Sequence, residues 1–263
     1  MKIKKKRYYN SNIAVDVFYN PKIDIADFKK AAVCISGFPD FVGINPLTQL
    51  LVGSNVLVFQ PHMAGTFDSG YSFNPEGAIR TFIALNDLIN NANGSDMPSA
   101  DIIKMPWNID SVLLTGHSFG GFFVLRFFNL IENIEKILFT SSVLHYAERF
   151  GCLEIGPEQY EKVSNQYPFT YRLADISEWM GMWEGKDKLP LTPLGKVREV
   201  IIIYGENDKY FNIELVKQNL IELVKSYIIS DNIEIKIVKE VGHPLIELLD
   251  NSMSQDSIKK LVL

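Results

Sequence analysis

The chain has 263 residues, 47% of them apolar and 22% charged, which suits one large α/β domain with a full core and is ordinary for a soluble globular protein. Its net charge of -5 argues against an electrostatic grip on nucleic acid, and no run is long and apolar enough to span a bilayer. Cys34 and Cys152, the two cysteines, make no disulfide framework, and with only four histidines beside them no zinc spacing exists, so no metal site is expected.

The basic start from Lys2 to Arg7 reads as a solvated first strand rather than a nucleic-acid arm. Tyr8-Tyr9-Asn10-Ser11-Asn12 is not the apolar core of a signal peptide, so a cytoplasmic chain is the default expectation. Lys4–Tyr9 and Ile13–Tyr19 are predicted as two strands around the turn Asn10-Ser11-Asn12. Ala31–Ser36 is a short apolar strand ending at Gly37, with Cys34 as a small core residue. Asn45-Pro46 has the form of a helix cap followed by proline at the first helical position, with Leu47 to Val52 behind it. Val56–Gln60 is a buried strand. Asn74-Pro75 repeats the cap signal, and Ala78, Ile79, Phe82, Ile83, Leu85 and Leu88 form a helical stripe. Asn91–Asp110, polar and broken by prolines, reads as an irregular connection.

Ser111–Thr115 is the next strand, and Gly121–Leu130 is helix-like. Between them lies Gly116-His117-Ser118-Phe119-Gly120, a Gly-x-Ser-x-Gly turn from strand to helix that exposes its serine as a nucleophile. Lys136–Ser141 follows as a strand. Residues 142–196 interrupt the alternation and are rich in aromatics (Tyr160, Tyr167, Phe169, Tyr171, Trp179, Trp183); their length favours a lid over the carboxyl edge of the sheet rather than a plain crossover. Glu199–Tyr204 is a continuous apolar strand, Ile213–Tyr227 a helix, Asn232–Val238 a half-exposed edge strand, and Leu245–Val262 a closing helix broken near Asn251. The expected organisation is a core over 1–141, a lid over 142–196 and the rest of the core over 197–263. The order implies an α/β fold with a mostly parallel sheet covered on both faces.

A serine hydroxyl needs a base within hydrogen-bond reach and a carboxylate to orient that base. Asp208 follows the strand Glu199–Tyr204 in Gly205-Glu206-Asn207-Asp208, with Glu206 as its competitor and a helix-start role as its alternative. His243 follows the edge strand in Val241-Gly242-His243-Pro244. Of the other histidines, His62 is placed to line the pocket, the His117 side chain is expected to point away from that of Ser118, and His145 begins the lid. The oxyanion needs preset donors, for which the backbone N–H of Phe119 and that of Phe38, in Gly37-Phe38-Pro39, are the candidates. Pro39 has no N–H to give.

This ordered set resembles the α/β-hydrolase superfamily: a leading hairpin, the Ser118 turn, Asp208 after a late strand and His243 before the last helix. The resemblance covers nearly the whole chain. It departs from many members at Ser36-Gly37, where they carry His-Gly. It implies an α/β-hydrolase fold with an inserted helical lid, and a Ser–His–Asp hydrolase with no metal or organic cofactor. Gly65–Tyr71 resembles the loop after the fourth strand that shapes the pocket floor, where Asp68 has no role beyond capping a turn. The expected substrate is a small acyl compound, an ester, thioester or small amide, with an apolar or aromatic acyl group suggested by the lid. Arg149 and Arg172 stand as binders of a carboxylate or phosphate or as solvated surface. An acyltransferase or peptidase with the same triad, or a non-catalytic binding protein on the same fold, are the alternatives.

Overall fold

The computed structural model describes residues 1–37, 42–98, 100–145, 151, 161, 165–166, 170–172 and 195–262. Strands β1 (Lys4–Asn10) and β2 (Ile13–Tyr19) pair antiparallel from Lys4↔Tyr19 to Asn10↔Ile13. Ser11 and Asn12 between them have φ of 48° and 61°, the left-handed pair whose twist matches the flanking strands of a tight hairpin. The basic side chains at the start of β1 are exposed at the sheet edge, where charge discourages further strand addition, while every residue of β2 is buried.

Six more strands complete one sheet: β3 (Lys30–Ile35), β4 (Leu57–Pro61), β5 (Ser111–His117), β6 (Ile134–Thr140), β7 (Glu199–Gly205) and β8 (Ile233–Val238). Their order is β1-β2-β4-β3-β5-β6-β7-β8. β2 and β4 are antiparallel, and every pairing from β4 to β8 is parallel. The central strands are largely apolar, with most of their residues buried, because helices cover both faces. Successive side chains divide between the two layers: Val33 and Ile35 join one core cluster, Ala32 and Cys34 the other.

The first layer holds α2 (Pro75–Ile89), α3 (Gly120–Phe127) and α4 (Ile213–Lys225). The second holds α1 (Pro46–Gly53), α5 (Leu245–Asp250) and α6 (Ser252–Val262). Asn45 and Asn74 act as the caps their sequence context predicts, accepting from the Thr48 and Gly77 N–H groups. Asn251 has an extended backbone (φ -83°, ψ 130°), which parts α5 from α6 at the expected break.

One segment differs from the sequence reading. Asn91–Asp110 is not wholly irregular: Asn93–Gly94 pairs with Ile103–Lys104, and the Ser95 backbone exchanges hydrogen bonds of 2.8 and 2.9 Å with Tyr9 on the outer edge of β1. Of the expected lid, Thr170 to Arg172 pair with the loop after β4, through Phe67 N–H to Thr170 O (2.8 Å) and Phe73 N–H to Arg172 O (2.9 Å). Arg149, Cys152 and the expected lid aromatics other than Tyr171 lie outside the described residues.

Candidate active site

β5 ends at His117 and α3 begins at Gly120, so the chain must reverse within two residues. Ser118 takes φ of 47°, a region that non-glycine residues enter only when the surroundings hold them there. Its N–H donates to Thr140 O (3.0 Å), and its carbonyl accepts from Val143 N–H (2.8 Å) and Gly121 N–H (3.1 Å). The flanking glycines are required by space. A side chain at Gly116 would put its Cβ 2.7 Å from Gly121 Cα, and one at Gly120 would lie 2.3 Å from Ile35 O.

Two other strand ends bring their residues to this turn. Asp208 sits in the tight turn after β7 and is 3% exposed. His243 lies between β8 and α5. His243 Nδ1 is 2.8 Å from Asp208 Oδ2, and its Nε2 is 2.9 Å from Ser118 Oγ. A carboxylate only accepts, so Nδ1 carries the proton and Nε2 is left as the acceptor for the serine O–H. Asp208 Oδ1 also accepts from Tyr210 N–H at 3.0 Å, which fixes the carboxylate plane. The competitor Glu206 instead accepts from Glu240 N–H (3.3 Å). Asn212, not Asp208, caps α4. Rings hold the His243 imidazole in place: Tyr210 meets it edge-on at 4.7 Å and Phe211 stacks at 6.0 Å.

His117 departs from its expected direction. Its ring lies 5.5 Å from that of His243, whose Nε2 faces Ser118 Oγ. Strand alternation stops applying where Ser118 turns the chain back. Burial, and then the neighbouring His243, lower the His117 pKa to about 4, although Thr140 and Asp208 partly oppose the shift. Its Nδ1 faces Thr140 O at 3.0 Å, so the neutral ring donates there.

Phe119 occupies the cap position of α3, its N–H at a helix amino end next to Ser118. Phe38, the other expected oxyanion donor, lies outside the described residues. Its neighbour Gly37 runs directly across Ser118: a Cβ there would be 3.0 Å from Ser118 Cβ and 3.5 Å from Oγ.

Behind the pocket lies a charge cluster that the sequence reading missed, though a lone Asp16 inside the apolar strand Ile13–Tyr19 was its signal. Asp16, 1% exposed, accepts from Arg7 Nε (2.6 Å) and Lys5 Nζ (3.1 Å) and lies 3.3 Å from His62 Nε2. Burial alone would raise the Asp16 pKa, but hydrogen bonds from His62, Arg7 and Lys5 outweigh it and hold the carboxyl well below its usual range. Asp68, unexplained by sequence beyond a turn, pairs with Arg7. His62 is engaged in this cluster and meets Phe67 edge-on at 5.3 Å. Arg172 is exposed, in line with its solvated-surface reading, and its guanidinium also donates to the carbonyls of Phe67 (3.2 Å), Tyr71 (3.4 Å) and Ser69, fastening the loop after β4. Cys34 is buried, which pushes its thiol up to about 12. Among the described residues no cluster of His, Cys, Asp or Glu is arranged to hold a metal ion, and no helix is long and apolar enough to cross a membrane.

No protein-family model matches the sequence, and neither does any curated protein sequence. Solved structures do resemble it. The Pyrococcus furiosus esterase Pf2001 aligns with a TM-score of 0.65 at 13% identity, over 99% of this chain and 90% of that one. Esterase B from Lactobacillus rhamnosis gives 0.60 at 15% identity, over 99% and 84%. Mouse alpha/beta hydrolase domain-containing protein 10 gives 0.60 at 12% identity, over 98% of each chain. With its strand order, its parallel run from β4 to β8 and these likenesses, the chain has the fold of the α/β-hydrolase superfamily.

Proposed function

We propose that the chain is a serine hydrolase that cleaves a small ester, thioester or amide through an acyl-enzyme on Ser118. The observation that carries this reading is the unbroken hydrogen-bonded path from Asp208 Oδ2 through His243 to Ser118 Oγ, with links of 2.8 and 2.9 Å. Ser118 Oγ attacks the substrate carbonyl carbon while His243 Nε2 takes the hydroxyl proton. Asp208 keeps the Nδ1 proton in place and stabilises the imidazolium. The oxyanion accepts from the N–H groups of Phe119 and Phe38, donors fixed before the charge develops. The tetrahedral species then collapses, and the leaving group departs with the proton from His243. A water, deprotonated by the same nitrogen, attacks the acyl carbon and frees the acid and Ser118. Residues 142–196 cover the carboxyl end of the sheet in this reading.

An ester is the first substrate class to test, because the similar Pyrococcus and Lactobacillus proteins bear the name esterase. Turnover of p-nitrophenyl acetate by the wild-type protein should fall by about a thousandfold or more in Ser118→Ala. Equal rates in the two proteins would reject the assignment.

A further inference from the structure

The carbonyl attacked by Ser118 carries an acyl chain that needs a place beside the nucleophile. A small cavity of about 20 Å³ lies there, lined by Gly37 and Phe119, which neighbour Ser118 in space and in sequence. Met63 and Phe67 form its side. Aromatic rings in its wall pack against one another: Phe73 meets Phe123 and Tyr171 edge-on at 5.9 and 6.3 Å and lies tilted to Phe119 at 6.2 Å. Among the described residues, the lining side chains carry no charge. Thr66, one of the few polar groups in the wall, already donates its hydroxyl to Met63 O at 2.8 Å. A larger cavity of about 60 Å³, lined by Lys30, Lys136 and Arg198, sits at the amino ends of the strands, on the opposite edge of the sheet from Ser118.

We propose, resting on the serine-hydrolase reading, that the cavity at Gly37 and Phe119 is the acyl pocket and takes a short, uncharged acyl group, with Phe73 and Tyr171 setting the limit on chain length. A charged or strongly polar acyl group would lose its water there without gaining a partner. A long chain would have to force apart rings already in contact. The wall is built rather than loose. Arg172 ties the Tyr171 strand to the carbonyls of Phe67 and Tyr71 (3.2 and 3.4 Å), and Phe73 N–H donates to Arg172 O at 2.9 Å. Phe73 and Tyr171 are therefore held from both sides, by the loop after β4 and by the segment that follows β6.

The test is a chain-length series on the full-length protein: kcat/KM for the p-nitrophenyl esters of acetate, butanoate, octanoate and decanoate. The wild-type protein should favour butanoate over decanoate by roughly tenfold or more. Phe73→Leu and Tyr171→Ala should each raise the octanoate-to-acetate ratio by roughly tenfold. The ratio is taken within each variant, so loss of folded protein cancels. A wild-type profile that does not fall with length, or ratios unmoved by both substitutions, overturns the assignment. Labelling of Ser118 by a small fluorophosphonate separates the two claims. Label with a flat profile overturns the pocket alone, whereas no label and no turnover of any ester removes the serine reading and the pocket with it.

Discussion

His117 stands next to Ser118 in sequence and next to the His243 ring in space, which gives a second imidazole a measurable consequence. Burial and the ring of His243 depress its pKa from 6.5 to about 4. In the unfolded chain it titrates near the ordinary value. Between those two values the unfolded chain binds a proton that the folded chain does not, so stability falls as pH falls through that window. His117→Phe keeps a ring in the space and removes the titration. Urea unfolding at about pH 7 and about pH 5 should show the wild-type protein losing more stability than the variant. Equal losses would contradict a half-buried ring held neutral in the folded chain. Nothing in the sequence around His117 foretold this placement, because the strand rule that aimed it away holds only while the chain stays extended.

At the scale of elements, the hairpin and the loop after β4 are joined through Asp16. This single buried carboxylate binds Arg7 and Lys5 of β1 and lies against His62 at the end of β4, whose following loop supplies Phe67 and Phe73 to the pocket. Asp16→Asn removes the charge that these groups surround. The Arg7 and Lys5 side chains are partly exposed, so the cost sits below that of breaking a fully buried pair, at about 2 kcal/mol near neutral pH. The folded pKa of Asp16 is depressed, so its contribution is present above the unfolded value near 3.8 and is lost as pH falls below it. Denaturation midpoints of wild type and Asp16→Asn should converge below about pH 4; a gap that persists unchanged in acid would count against the charge cluster as its source. Local chemistry made the elements themselves legible. The Asn-Pro caps of α1 and α2, the apolar runs of β5 and β7 and the break at Asn251 are written within a few residues of where they act. The Asp16 cluster and the grip of Arg172 on the loop are long-range contacts, and only the lone acid in β2 hinted at either.

Across the whole molecule, the parallel run from β4 to β8 explains why three distant residues meet. Parallel strands share one carboxyl edge, and Ser118, Asp208 and His243 each follow such an end, on β5, β7 and β8. That is why the candidate site was legible in the sequence: strand ends are readable locally, and topology gathers them. The proposed acyl pocket was not, since its described walls come from the turn after β3, the loop after β4, α3 and Tyr171, whose meeting no local pattern encodes. The central claim is that His243, oriented by Asp208, activates Ser118. The most direct measurement is the rate and site of covalent labelling by a fluorophosphonate, read by mass spectrometry on wild type, Ser118→Ala, His243→Ala and Asp208→Asn. The account predicts a single adduct on Ser118 in wild type, none in Ser118→Ala, labelling slower by about a thousandfold in His243→Ala, and an intermediate rate in Asp208→Asn. An adduct on another residue, or a Ser118 adduct that forms at the wild-type rate without His243, would contradict it.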